Sequence, residues 1–180
     1  NIYLTGLISD HYGWFGNPAT FGAITLPMPP GADSASFVAK ISPSGVFQWA
    51  HTFPGTDGER DNRIAIDSTN NIYIAGGFWG IKNFDSDTLF SAGERDVFVI
   101  KYDSSGNFIW VKRAGGILDD RANSITVDIS GDIYVTGEFR NKAGFGTDSI
   151  NNNGGPNGRD IFVAKLKQNG DWVWAKKAGS

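Results

Sequence analysis

The 180-residue chain contains no cysteine, which excludes disulfide bonds and cysteine-ligated metals outright. It has two histidines, His11 and His51. Neither stands in a nucleophile or zinc-binding context, because no G-x-S-x-G or H-E-x-x-H string occurs. Both read as surface or turn residues, and no catalytic residue is assigned. No stretch approaches the roughly 18 apolar residues that a membrane helix requires, so membrane insertion is not expected. Charge of neither sign dominates: 16 basic and 19 acidic residues give a net of −3. Nucleic-acid binding wants a clustered basic surface, so no nucleic-acid partner is expected. There is no Asn-X-Ser/Thr sequon to accept an N-linked glycan. No signal peptide is visible, and the chain opens inside a strand pattern at Asn1. It therefore reads as a mature fragment or an excerpt of something longer.

What is present is apolar, aromatic and repetitive. Forty per cent hydrophobic and 13% aromatic residues suffice for a core, and the 24 glycines fall mostly between short apolar runs. With no long 3.6-residue periodicity, that punctuation predicts an all-β chain. The stretch Asp96 to Gly116 (DVFVIKYDSSGNFIWVKRAGG) has two counterparts, Ser36 to Gly55 and Asp160 to Gly179. Lys40, Lys101 and Lys165 each precede a tryptophan by nine residues, at Trp49, Trp110 and Trp174. A second block recurs as NIYLTG, NIYIAG and DIYVTG from Asn1, Asn71 and Asp132. The period is 61 (101−40) and then 64 (165−101), as in a stacked or radial repeat, with units at about 1–62, 63–123 and 124–180.

Each full unit offers four short strands. In the second unit they are predicted at Arg63–Asp67, Asn71–Gly76, Asp96–Tyr102 and Phe108–Arg113. Hairpin turns are expected at Pro43-Ser44-Gly45, Ser104-Ser105-Gly106 and Gln168-Asn169-Gly170, where glycine supplies a positive φ. Gly6 is expected to bend its strand. Residues 7–35 diverge most: Gly6 to Phe21 spans 15 residues, against eight from Gly76 to Phe84 and from Gly137 to Phe145. An apolar residue follows each phenylalanine by five positions, at Leu26, Leu89 and Ile150. The prolines at 27, 29 and 30 imply an irregular, exposed edge.

Tandem four-stranded antiparallel units are the blades of a β-propeller. Eleven principal strands are expected: two complete blades and a first blade of three strands. Propellers close with about four to eight blades, so three units predict a segment of a larger propeller, completed by further blades of the chain or by other copies. The motifs D/N-I-Y-V-T-G, Phe-Gly, D-I-F-V-A-K-L and W-A-K-K-A-G resemble the bacterial β-propeller repeat called SBBP over the whole chain, most closely from Asp132 to Gly179. Unit one departs from it, with Ser36 read in place of the aspartate before Phe37. The resemblance implies a secreted or surface-anchored bacterial scaffold and implies no activity.

Among candidate constellations, the carboxylates Asp85/Asp87, Asp119/Asp120 and Asp57/Glu59/Asp61 lack the ligand spacing of a calcium loop. No metal or cofactor is assigned. Asp120-Arg121 aligns with Glu59-Arg60 and reads as a blade-to-blade tie. The repeated lysines lie inside strands, so each should be paired or should snorkel, with Asp67, Asp96, Asp128 and Asp160 as acidic candidates. Tyr12, Trp14 and Phe15, in the insertion at His11 to Pro18, and Trp79, in Gly76-Gly77-Phe78-Trp79-Gly80, are the candidate ligand-binding aromatics.

These features order three expectations. First comes a non-enzymatic scaffold or adhesion module of a secreted or cell-surface bacterial protein, engaging a protein or glycan. A lectin-like, carbohydrate-binding propeller comes second. A hydrolase or lyase with its site in a central channel comes last, because no sequence motif supports it.

Overall fold

The computed structural model describes residues 1–9, 18–28, 34–54, 62–154 and 158–179. Among these described residues there are seventeen strands and no helix. The chain forms two compact units, Asn1–Asn62 and Arg63–Ser180.

In the first unit, β1 (Ile2–Ser9), β4 (Ser34–Ile41) and β5 (Phe47–Phe53) form an antiparallel sheet in the order β1-β4-β5. A small hairpin, β2 (Ala19–Phe21) and β3 (Ile24–Leu26), lies in the sequence between β1 and β4. β1 runs straight through Gly6, which pairs with Phe37 without a register shift. The expected bend is absent because the ring of Phe37 covers the bare glycine: an ideal Cβ there would come within 2.9 Å of Phe37 Cε1. The same cross-strand pair recurs as Gly76↔Phe98 and Gly137↔Phe162, an aromatic filling the space a missing side chain leaves.

The second unit holds two four-stranded sheets. One comprises β6 (Arg63–Ile66), β7 (Ile72–Phe78), β10 (Asp96–Tyr102) and β11 (Phe108–Ala114). The other comprises β12 (Arg121–Val127), β13 (Ile133–Phe139), β16 (Asp160–Leu166) and β17 (Trp172–Ala178). Neighbouring strands are antiparallel throughout. β12 starts at Arg121. A bulge between Ala122 and Ser124 lets it continue, and the Asn123 carbonyl there accepts a hydrogen bond from Arg63 Nε at 3.1 Å.

The eleven expected strands are all present. The six others form the hairpins β2-β3, β8-β9 (Ile81–Phe84, Asp87–Phe90) and β14-β15 (Lys142–Phe145, Asp148–Asn151). Their two-residue loops place Gly22, Asp85 and Gly146 at φ of 63°, 52° and 63°, the positive first position that suits a tight hairpin. The phenylalanines and the apolar residues five positions on are their inward anchors: Leu26, Phe84, Phe145 and Ile150 are all buried. The Asp85/Asp87 cluster therefore belongs to a turn.

The longer hairpins turn as predicted, with Gly45, Gly106 and Gly170 at φ of 83° to 89°. Aspartates fix several loops. The carboxylate of Asp103 accepts the N–H groups of Ser105 and Asn107; Asp128 does the same for Ser130 and Asp132. Asp67 accepts from Thr69, Asn71 and the Tyr73 hydroxyl. Such local acceptance offers the chain a turn in place of a ladder.

The core of the second unit lies between its two sheets. Tyr73, Val97, Val99 and Trp110 of the first meet Ile125, Ile133, Val135, Ala164 and Leu166 of the second in one buried cluster. Full burial of a side chain of this size contributes about 1.5–3 kcal/mol. By register, the counterpart of Asp96 and Asp160 is Ala35, not Ser36: each stands five residues before the repeated lysine. Ser36 is buried and accepts a hydrogen bond from Asn62 Nδ2 at 2.6 Å.

Candidate interaction surface

Each main sheet carries a tyrosine, a lysine and a tryptophan in cross-strand register: Tyr3/Lys40/Trp49, Tyr73/Lys101/Trp110 and Tyr134/Lys165/Trp174. The lysine ammonium stands over the tyrosine ring at 5.7, 5.3 and 5.3 Å respectively, a geometry that lets a cation lie along an apolar face. Lys101 is buried, and both its Nζ and Trp110 Nε1 donate to the Gln168 carbonyl at 3.3 Å. Burial lowers its pKa, against the pull of the Asp67 charge. Lys165 instead pairs with Asp132 at 2.7 Å, a partner absent from the sequence-based candidates. Of those candidates, Asp96 holds Arg113 at 2.6 Å and Asp160 faces Lys177 at 3.6 Å.

This arrangement makes Lys101→Met a mild change. Asp67 keeps its turn donors and the Gln168 carbonyl keeps Trp110, so no buried group is orphaned. A shift of less than about 1 kcal/mol in urea unfolding is expected; a loss above about 3 kcal/mol would show that the ammonium itself holds the sheets together.

The tie between the two sheets is Asp119 rather than the aligned Asp120-Arg121 pair. Asp119 bonds Arg159 and Arg121 and lies 3.8 Å from Arg95. Arg95 directly precedes β10 of one sheet and Arg159 directly precedes β16 of the other. Burial would raise the Asp119 pKa, but Arg159 and Arg121 hold it below the ordinary carboxylate value. Asp120 uses both oxygens on backbone, accepting from Gly116 at 2.6 Å and Arg140 at 3.1 Å. Burial, reinforced by the charges of Asp96 and Asp119, pushes it up to about 7. A carboxyl poised near neutrality is a common mark of catalysis. Asp120, however, is 1% exposed, so a substrate has no approach to it. Beside it, Asp96 Oδ1 is buried with no hydrogen-bond partner among the described residues. Among those residues no three acidic or histidine side chains gather as a metal site.

Of the candidate aromatics, Tyr12, Trp14 and Phe15 lie outside the described residues, as do His11 and Asp57, Glu59 and Asp61. Trp79 follows β7 and is 62% exposed. The sequence reading missed its neighbours Ile81 and Phe90, cross-strand partners in β8-β9 that are 66% and 60% exposed. The Ser91 N–H donates to the Gly80 carbonyl and the Gly80 N–H donates to the Ser91 hydroxyl, both at 2.9 Å, so the apolar residues stand on ordered backbone. The positions equivalent to Trp79, Ile81 and Phe90 in the next repeat are Arg140, Lys142 and Asn151. That contrast, visible on aligning the repeats, was the signal available in the sequence.

Repeated four-stranded antiparallel sheets of this kind define a β-propeller repeat fold. The SBBP family, described as a β-propeller repeat, matches residues 109–138. That window runs from β11 through the Asp119-Asp120 junction into β13, so the matched motif spans two neighbouring sheets. The chain is also similar to an uncharacterized WD repeat-containing protein of Acanthamoeba polyphaga mimivirus. The two are 27% identical over 57% of this chain and 9% of that protein. The chain thus spans about a tenth of the length of this curated relative.

Proposed function

We propose that the chain is a non-enzymatic propeller module of a secreted or cell-surface bacterial protein, and that it binds a protein partner through the β8-β9 hairpin. The observation that carries this reading is the exposed set Trp79, Ile81 and Phe90 on a hairpin whose counterpart bears Arg140, Lys142 and Asn151. Aromatic anchors of this type dominate many interfaces. The bacterial surface setting rests on the resemblance of the motifs to SBBP repeats, and the similarity to a WD repeat-containing protein favours an interaction role. A second reading, carbohydrate binding, draws on Trp79, whose exposed indole could stack on a sugar ring.

Binding of the chain to isolated bacterial surface proteins and to a glycan array separates the two. For a protein partner, Trp79→Ser, Ile81→Lys and Phe90→Asn should each weaken binding, the first by about 30-fold, as loss of about 2 kcal/mol implies. For a glycan, Trp79→Ser alone should abolish it. Binding untouched by all three changes would place the surface elsewhere.

A further inference from the structure

The hairpins β8-β9 and β14-β15 are the same device, but their outer edges differ. In a two-residue hairpin the residues flanking the loop exchange backbone bonds, and the next pair along does not. Phe84↔Asp87 and Lys82↔Leu89 therefore bond inward, as does the Ser91 N–H to the Gly80 carbonyl. Ile81 and Asn83 turn their N–H and C=O groups away from β9, along the outer edge of β8. Their equivalents in β14 are Lys142 and Gly144 (142−81 and 144−83 are both 61). There Gly144 exchanges two backbone bonds of 3.0 Å with Gly115, just beyond β11, in an antiparallel bridge. That edge is closed by extended backbone. Among the described residues, Ile81 and Asn83 have no such partner.

The donor of that bridge has no counterpart in the first repeat. Gly115 stands 14 residues after Lys101 (115−101), and the residue 14 after Lys40 (54−40) is Pro54, which has no N–H to give. Beside the open edge, Ile81, Asn83, Thr88 and Phe90 share one face of the hairpin, since alternate and directly opposite residues lie together. None of the four is charged, and Thr88 Oγ1 bonds Asn83 Oδ1 at 2.9 Å. An unpaired edge with apolar side chains beside it is a template for another strand. The closed edge also shows what size of residue fits. An ideal Cβ on Gly116 would run into the Lys142 carbonyl oxygen, so backbone comes this close only where the incoming strand carries small residues.

We propose that the β8 edge takes an extended segment of the protein partner as an added antiparallel strand. The segment carries two consecutive small residues, opposite Asn83 and Lys82, and then an apolar residue opposite Ile81. This rests on the reading of β8-β9 as the partner site and adds how the partner is held. Its first small residue exchanges backbone bonds with Asn83, as Gly115 does with Gly144. The apolar residue that follows falls on the exposed face with Ile81 and Phe90, next to Trp79. Main-chain bonds supply affinity, and the small-small-apolar order supplies the choice of partner. The chain's own segment in this order, Gly115-Gly116-Ile117, is already engaged at Gly144.

The probe is an uncharged, fluorescently tagged peptide, acetyl-Thr-Ala-Gly-Gly-Ile-Thr-amide, titrated with the chain by anisotropy up to about 1 mM. It should bind the wild-type chain, and equally at about 0.05 M and about 0.5 M salt, because the face is uncharged. Methylating the nitrogen of its first glycine removes the donor that stands in for the Gly115 N–H. That should weaken binding by about tenfold or more. Methylating the alanine nitrogen, which points away from the edge, should not. Asn83→Pro removes the outward N–H and spares the backbone bonds between β8 and β9, so it should weaken binding equally with little change in urea unfolding. If that proline disturbs the hairpin, the methylated peptides still decide the matter. Where Trp79→Ser loosens a bacterial surface protein and Asn83→Pro does not, the surface stands and strand addition falls; where neither does, both fall. A peptide that fails to bind, or binds equally with its first glycine methylated, overturns the proposal. So does a chain that dimerises on sedimentation and is returned to monomer by Asn83→Pro, since the edge then belongs to a second copy.

Discussion

Gly137→Ala is expected to destabilise the second unit by about 3 kcal/mol or more, among the largest effects of any single methyl in this chain. Gly137 lies in β13 with Phe162 opposite and β12 on its other side. An ideal Cβ there would run into the backbone carbonyl oxygen of Arg121 and come within 2.7 Å of Phe162 Cε1. The carbonyl belongs to a paired strand, and Phe162 is 1% exposed and packed at 5.0 Å between ring centroids against Phe145. Neither neighbour has room to move without disturbing the other. Gly144→Ala is the matched control, since its Cβ would meet only the Gly115 carbonyl, at 3.6 Å. Urea unfolding should show a much lower midpoint for Gly137→Ala and a small shift for Gly144→Ala, with similar slopes. Equal midpoints for the two would mean that the sheet relaxes around the added methyl.

The second large effect is a fall in stability as pH rises from about 4 to about 7, on the order of 2–4 kcal/mol. Its source is the junction where Asp120 and Asp96 converge over Gly115, whose ideal Cβ would strike Asp96 Oδ1 and lie 2.8 Å from Asp120 Oδ2. Asp120 titrates at about 7 in the folded chain, against an ordinary 3.8, and burial raises Asp96 as well despite its Arg113 partner. The folded state therefore holds protons that the unfolded state has released. Its stabilisation is fully present below about 4 and is lost as pH climbs through 7. Asp67 acts in the opposite sense: its turn hydrogen bonds outweigh burial and hold it at about 2, so its contribution disappears as pH falls from about 4 to 2. Stability should thus peak near pH 4–5. Asp120→Asn should flatten the descending limb while lowering stability at acid pH, because its amide nitrogen takes the place of one of the two oxygens that accept the Gly116 and Arg140 N–H groups. A variant whose pH profile overlies the wild type would remove Asp120 as the cause.

Much of this fold was legible before any coordinates. Nine residues from lysine to tryptophan meant two strands and a tight turn, and Lys40↔Trp49, Lys101↔Trp110 and Lys165↔Trp174 are indeed cross-strand partners. The small hairpins were missed although their anchors had been noticed. Strands of three or four residues leave too little alternation to recognise, and their loops read as an acidic pair or an isolated glycine. The junction was misassigned by one residue: Asp119 and Asp120 are adjacent in sequence, but one points to arginines from two sheets and the other to backbone N–H groups. At the candidate surface Trp79 was legible as a candidate ligand-binding aromatic. Ile81 and Phe90 were not, because an isoleucine or phenylalanine in a strand is core by default.

By itself, then, the sequence determined the repeat, the turns of the long hairpins and the partners of the principal strands, since alternation, glycine and aspartate act over a few residues. Only the tertiary structure decided which copy of the repeat is buried. Val99 and Val163 sit in the same motif, each two residues before the repeated lysine, yet one has no exposure and the other 40%. The lysines beside them differ likewise, Lys101 turned to the Gln168 carbonyl and Lys165 to Asp132. Burial is set by the sheet that lies over a residue, and that sheet is built some sixty residues away in the chain.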